Sequence, residues 1–203
     1  MTEAPLVYIV DDDASVRDSL SFLVASLGYQ TRVYASAREF LADFHSGAGG
    51  GCIILDVRLK DMSGLDVQEE LKSRNNHLPV IFITGFGDVH MAVQAMKDGA
   101  ADFITKPLNE QELVDSLQRA LADEEQHREE YALQEKVRTR LATLTPREEE
   151  VLRYIINGSM NKVIAYELGL SPKTVEAHRA RVMEKMQVRS LAELVSHVMK
   201  VEV

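Results

Sequence analysis

Gly51-Cys-Ile-Ile-Leu-Asp-Val-Arg-Leu-Lys-Asp-Met-Ser-Gly64 carries the strongest signal of architecture in the sequence. Residues 52–55 form a short apolar run without polar alternation, the pattern of a strand covered on both faces in a parallel α/β sheet. Asp56 stands where that run stops. Open α/β sheets hold their ligands at the C-terminal ends of such strands, so a carboxylate there is placed for chemistry. A turn residue leaving the sheet would look the same locally. On this stretch alone the two readings stand level.

Working outward, Leu6-Val-Tyr-Ile-Val10 is a β-rich run ending in Asp11-Asp-Asp13, and Val16, Leu20, Leu23, Val24 and Leu27 then repeat at helical spacing up to Gly28. A short strand near residues 30–34 and a helix carrying Phe40, Leu41 and Phe44 follow. The run Ser46-Gly-Ala-Gly-Gly-Gly51 precedes a strand rather than a helix, so it is no phosphate-binding loop and reads as a flexible surface connection. After Gly64 comes a helix through Lys72 with Leu65, Val67 and Leu71 inward, then the strand Pro79-Val-Ile-Phe-Ile-Thr84. A helix over 89–98 closed by Gly99, the strand Ala101-Asp-Phe-Ile-Thr105, Lys106-Pro107 and a helix over 109–121 complete the pattern. Five strands alternating with five helices predict a doubly wound (βα)₅ parallel sheet.

The polar residues at the strand ends converge in such a sheet: Asp11 and Asp12 after the first, Asp56 after the third, Thr84 after the fourth and Lys106 after the fifth. The crevice of a doubly wound sheet opens at its switch point, between the first and third strands. Three carboxylates there repel one another unless a cation sits among them, and hard oxygen ligands with room for water suit Mg²⁺. Lys106 and Thr84 would offer a charged and a neutral donor to an incoming anion. Asp56 as nucleophile toward a phosphoryl group is then plausible chemistry.

The charge is uneven. The 203 residues carry net −9, with residues 1–123 at −9, residues 124–140 at −1 and residues 141–203 at +1. The overall acidity argues against nucleic acid, but it belongs to the N-terminal part, so only the C-terminal segment is tested for that role. The one cysteine, Cys52, excludes an internal disulfide and fits a reducing compartment. No signal-peptide pattern opens the sequence, and no apolar run nears the ~20 residues of a membrane span. A soluble cytoplasmic protein without membrane partners is expected.

Residues 119–140 are rich in helix formers, hold no Gly or Pro, and place acidic residues before basic ones, as a helix dipole favours. They predict a long exposed helix continuous with the last helix of the sheet domain. Thr145-Pro-Arg-Glu148 then starts a new helix, with a Thr cap, Pro in the first turn and Glu three residues on. That helix stops at Asn157-Gly158; a second spans 162–168, Ser171-Pro172 caps a third running to about Met186, and a fourth covers 191–199. The short turn Gly169-Leu-Ser171 between two helices predicts a helix-turn-helix. The third helix carries Lys173, Arg179, Arg181 and Lys185 with His178, and Val175, Val182 and Met186 face inward. The domains are accordingly 1–123, a helical linker over 124–140, and a smaller all-α domain of four helices over 141–203.

Asp11-Asp12, Asp56-Val-Arg-Leu-Lys-Asp-Met-Ser-Gly64, Ile83-Thr84-Gly85 and Lys106-Pro107 together resemble the receiver domain of bacterial two-component response regulators, across residues 5–123. Leu144-Thr-Pro-Arg-Glu-Glu-Glu-Val-Leu152, Asn161-Lys-Val-Ile-Ala165 and the run from Leu170 to Arg181 resemble the DNA-binding domain of LuxR/FixJ-type transcription regulators, and Phe82-Ile-Thr-Gly-Phe-Gly-Asp88 fits the FixJ branch. The resemblance implies that Asp56 accepts a phosphoryl group from a histidine kinase, and that Asp11, Asp12 and Asp56, with the backbone carbonyl of Arg58, hold Mg²⁺. It implies that Thr84 and Phe103 re-orient on phosphorylation. Lys106, before a proline whose peptide bond is usually cis in this family, would bind the phosphoryl oxygens. In the second domain it implies a helix in the major groove of double-stranded DNA, with Lys173, Thr174, Glu176, His178, Arg179, Arg181 and Lys185 as contact candidates. A phosphorylation-dependent homodimer at two half-sites, acting with RNA polymerase and as an activator, is the expected mode. One position departs from the pattern: many receivers carry proline four residues after the acceptor, where this sequence has Lys60.

Several residues have plainer readings. Asp13 is expected as a helix cap, Asp61 and Asp66 as solvated loop and helix-start residues, and Tyr34 and Met91 as packing residues. His45, His77, His90 and His127 lack partners at ligand spacing, so no metal is assigned to them. Phe86, in the loop after Thr84, is read equally as surface or as affecting access to the site. The rival function is a haloacid-dehalogenase-type phosphatase with Asp11 as nucleophile, which needs a further acidic pair downstream and leaves the C-terminal helices unexplained.

Overall fold

The computed structural model describes residues 5–44, 49–85 and 89–202. The chain divides into two compact units, one extending to Arg128 and the other beginning at Glu129.

The first unit is built on a five-stranded parallel sheet: β1 (Leu6–Val10), β2 (Gln30–Tyr34), β3 (Gly51–Asp56), β4 (Val80–Thr84) and β5 (Asp102–Thr105), in the order β2-β1-β3-β4-β5. The helices are α1 (Ala14–Ser26), α2 (Ala37–Asp43), α3 (Gly64–Ser73), α4 (Val89–Lys97) and the start of α5 (Glu110–Leu141). Strand alternation divides the core. Tyr8, Val10, Ile53, Leu55 and Phe82 pack on one face with Phe40 and Leu41 of α2 and Val67 and Leu71 of α3. Val7, Ile9, Cys52, Ile54, Ile81 and Ile83 pack on the other with Leu20 and Val24 of α1 and Leu113 and Leu117 of α5. All six residues of β3 are buried, as the run without polar alternation predicted. The strand order makes β1 and β3 neighbours and puts the switch point between them, where it was expected.

Gly51 corrects the reading of the glycine-rich stretch. It begins β3, paired in register with Leu6, and a Cβ there would lie 2.0 Å from the Leu6 carbonyl oxygen. The end of that stretch is thus the condition for β1 and β3 to meet; its residues 46–48, with His45 and Phe86, lie outside the described residues.

Helix α5 runs unbroken for 32 residues. Its exposed part is shorter than the linker read over 124–140. Glu124 is buried in the first unit, beside Arg128, where a Cβ on Gly50 would meet its carboxylate. Val137 is fully buried in the core of the second unit. Only about residues 125–132 are exposed throughout.

In the second unit, α6 (Pro146–Ile156), α7 (Asn161–Leu168), α8 (Pro172–Met186) and α9 (Leu191–Glu202) follow the end of α5. The cap of α6 is the predicted box: Thr145 Oγ1 accepts from the Glu148 N–H, and a Glu148 carboxylate oxygen accepts from the Thr145 N–H. Gly169 ends α7 in the left-handed region at φ 65°, which turns the chain into Ser171, the side-chain cap of α8. Val175, Val182 and Met186 enter the core of this unit with Val151, Ile155 and Leu194.

Candidate functional site

The strand-end residues of the sheet converge. Asp11, Asp12 and Asp56 each offer a carboxylate oxygen within 4.8 Å of the others. Asp11 is completely buried, and Asp56 nearly so. Lys106, leaving β5, donates from Nζ to Asp11 Oδ2 at 2.7 Å and to Asp56 Oδ2 at 3.1 Å. Its own N–H donates to the Thr84 carbonyl at 2.7 Å, and the Lys106–Pro107 peptide is cis, as the resemblance implied.

Burial pushes the Asp11 carboxyl up, against the opposing bonds from Lys106 and the Asp13 N–H. For Lys106, burial acts to lower the ammonium's pKa, but its bonds to Asp11 and Asp56 outweigh that and hold it above the ordinary lysine value. The site thus keeps a fixed positive charge among carboxylates in a partly dry crevice.

Asp56 is anchored by the loop after it. The Arg58 N–H donates to Asp56 Oδ1 at 3.2 Å, and Arg58 and Ser63 pair as an antiparallel bridge. Gly64 approaches Asp56 so closely that a Cβ there would sit 2.4 Å from the Asp56 carbonyl oxygen. Asp61 is a partly exposed loop residue, but it is also a tether. Its two carboxylate oxygens accept from the Ala37 and Arg38 N–H groups at 3.2 and 3.0 Å, tying the loop to the start of α2. Its spacing to α2 in sequence, 24 residues, hid this bond. Asp13 caps α1 through Ser15, Asp66 lies in the first turn of α3, and Tyr34 and Met91 pack, as expected.

Thr84 is fully buried and lies two residues beyond Phe82, on the same face of β4. Phe103 is half-buried opposite Phe82 in the β4–β5 register, with ring centroids 6.3 Å apart. The pair named as a switch therefore shares one sheet face.

On α8 the exposed side is formed by Lys173, Thr174, Glu176 and Arg181 among the candidates, opposite the buried Val175, Val182 and Met186. Arg179 falls on the inward stripe and is half-buried. His178 is also half-buried, with Nδ1 enclosed and lacking a hydrogen-bond partner among the described residues. Lys185, the remaining contact candidate, is engaged within the domain: its Nζ donates to the buried Glu148 Oε2 at 2.6 Å and to the Thr143 carbonyl at 2.9 Å. The Lys185 bond, and after it that of the Thr145 N–H, holds the Glu148 carboxyl down at about 2. The capping box signalled Glu148; nothing local signalled its second partner.

Residues 7–118 match the family model of the response regulator receiver domain, and residues 142–198 match that of the bacterial regulatory proteins of the luxR family. The chain belongs to the two-component response regulators. The transcriptional regulatory protein FixJ of Azorhizobium caulinodans is 46% identical over 196 residues, spanning 96% of this chain and 92% of that protein. The response regulator protein TodT of Pseudomonas putida is 44% identical over 192 residues, spanning 95% and 84%. Of solved structures, that of the response regulator StyR superposes with a TM-score of 0.87 at 41% identity, covering 97% of this chain and 99% of that one. Full-length FixJ from B. japonicum gives 0.59 at 37% identity, covering 100% and 98%. As a response regulator with a LuxR-type DNA-binding domain, the chain is a transcription regulator and not an enzyme, which removes the phosphatase reading. None of the helices among its described residues is long and apolar enough to cross a membrane.

Proposed function

We propose that this response regulator takes a phosphoryl group onto Asp56 from a histidine kinase and thereby switches its own dimerisation and its binding to double-stranded DNA. The observation that carries the proposal is the convergence of Asp11, Asp12 and Asp56 within 4.8 Å, with Lys106 bonded to two of them. In the transfer, an Asp56 carboxylate oxygen forms a bond to phosphorus. The bond from phosphorus to the kinase imidazole nitrogen breaks, and its electron pair leaves with the imidazole. Three clustered hard carboxylates fit Mg²⁺, with the Arg58 carbonyl as a further oxygen ligand. When bound, Mg²⁺ supplies positive charge that offsets the phosphoryl oxygens. Lys106 offers its ammonium to those oxygens, and Thr84 its hydroxyl.

Thr84 and Phe103 lie on one sheet face, so a hydroxyl drawn toward new anionic oxygens leaves space that Phe103 can fill. This reshapes the β4–β5 side of the domain and favours a homodimer, whose two copies of α8 address two half-sites. Lys173, Thr174, Glu176 and Arg181 are the contacts proposed from the exposed side of α8, with Arg179 and His178 at its edge. Activation through RNA polymerase, in the cytoplasm, completes the reading.

The test is incubation of the full chain with a small-molecule phosphodonor and Mg²⁺, followed by intact mass, oligomeric state and DNA affinity. The wild type gains one phosphoryl mass, dimerises and binds DNA more tightly. Equal incorporation by Asp56→Asn would remove Asp56 as the nucleophile.

A further inference from the structure

Lys60 occupies the position four after Asp56, where many receivers carry proline, and its Nζ lies 3.0 Å from Asp12 Oδ2. Its placement follows from the loop on either side. The Arg58–Ser63 bridge closes the loop across its base, and Asp61, the next residue, is bonded to two N–H groups at the start of α2. With its neighbours fixed, the Lys60 stem starts close enough to reach Asp12.

The cations are divided between the carboxylates. Lys106 serves Asp11 and Asp56, whereas Lys60 bonds to Asp12. The two lysines also differ in exposure: the Lys60 side chain is 82% exposed and that of Lys106 21%. Lys60 therefore stands on the solvent side of the cluster, where a hydrated ion arrives.

We propose that Lys60 is a built-in competitor for the metal: its ammonium neutralises Asp12 while the ion is absent and releases that carboxylate when Mg²⁺ binds. The lysine thereby lowers Mg²⁺ affinity and raises the Mg²⁺ concentration at which Asp56 becomes a competent acceptor. This rests on the phosphoacceptor reading above. It goes beyond it in assigning a role to the residue at which this sequence departs from the receiver pattern.

An exposed ion pair is weak, so the effect is modest: Lys60→Met should tighten Mg²⁺ binding about two- to fivefold. Lys60→Arg keeps the charge and should stay near the wild type. The gap between wild type and Lys60→Met should narrow between about 20 mM and about 300 mM monovalent salt, as the screening length falls from about 20 Å to about 6 Å.

The experiment is calorimetric titration of the unphosphorylated full chain with MgCl₂ for the wild type and both variants, with thermal melts to verify that all three are folded. Tighter binding by Lys60→Met, wild-type-like binding by Lys60→Arg and a gap that shrinks with salt support the proposal. Equal affinities for wild type and Lys60→Met overturn it while leaving the metal site standing. Absence of Mg²⁺ binding in every variant at tens of millimolar overturns the metal site itself, and the proposal with it.

Discussion

Lys106 and Asp11, 95 positions apart in sequence, meet at 2.7 Å, and the carboxylate in that pair is fully buried. The contact joins the end of β5 to the end of β1, and through the second bond of Lys106 to Asp56 it draws in β3 as well. A buried carboxylate that loses its cation costs far more than an intact pair contributes.

Lys106→Met should therefore destabilise the receiver domain by about 2 kcal/mol at neutral pH without Mg²⁺, less than a fully buried pair because Lys106 is partly exposed. Burial already raises the Asp11 pKa, and losing Lys106 raises it further. A folded-state pKa above the unfolded one contributes stability at low pH that is lost as pH rises, so the deficit of the variant should shrink on acidification. Adding Mg²⁺ should shrink it too, by mass action on the folded state. Urea denaturation with and without Mg²⁺ measures both. A variant as stable as wild type at neutral pH would show that the pair contributes nothing.

Glu148 gives the second domain its own pH dependence. Its pKa falls from 4.5 to about 2, mainly through Lys185 and then the Thr145 N–H. A depressed pKa contributes stability that is present above 4.5 and lost as pH falls toward 2. Glu148→Gln should cost on the order of 2 kcal/mol at pH 7, after allowance for the partial exposure of Lys185, and the two proteins should converge near the lower limit. Urea unfolding followed at NMR signals of α6 and α8 isolates this domain; a constant difference across that range refutes the assignment.

Gly64 is needed because of its neighbour. A methyl group at 2.4 Å from the Asp56 carbonyl oxygen forces the end of β3 and the start of α3 apart. Gly64→Ala should cost about 1–3 kcal/mol and lower phosphoryl incorporation. Intact mass after phosphodonor treatment, set beside a thermal melt, reads both effects, and unimpaired incorporation would show that the loop tolerates the shift.

The basic residues of α8 should separate by salt dependence. Lys173→Ala and Arg181→Ala, if each removes a phosphate contact, should flatten the slope of log affinity against log salt by about 0.9 on a mixed-sequence duplex. Lys185→Ala should leave that slope unchanged and lower the melting temperature instead, because its ammonium is bound to Glu148. A flattened slope for Lys185→Ala would show that its ammonium leaves Glu148 to contact DNA.

The elements and the clustering of the acidic residues were legible before any tertiary contact was known. Buried parallel strands advertise themselves as apolar runs, and helix boundaries are written in local chemistry: Asp13, Ser36, Ser63, Thr145 and Ser171 all cap with their own side chains. Asp11, Asp12, Asp56 and Lys106 were legible because each ends a strand and parallel strands end on one side. Tertiary structure decided which charges pair. Asp61 on the start of α2, Lys60 on Asp12 and Lys185 on Glu148 bridge 24, 48 and 37 positions. Periodicity places a residue on a face of its element; which partner lies across from it depends on how whole elements pack, and long polar side chains reach whatever that packing brings within a few ångströms.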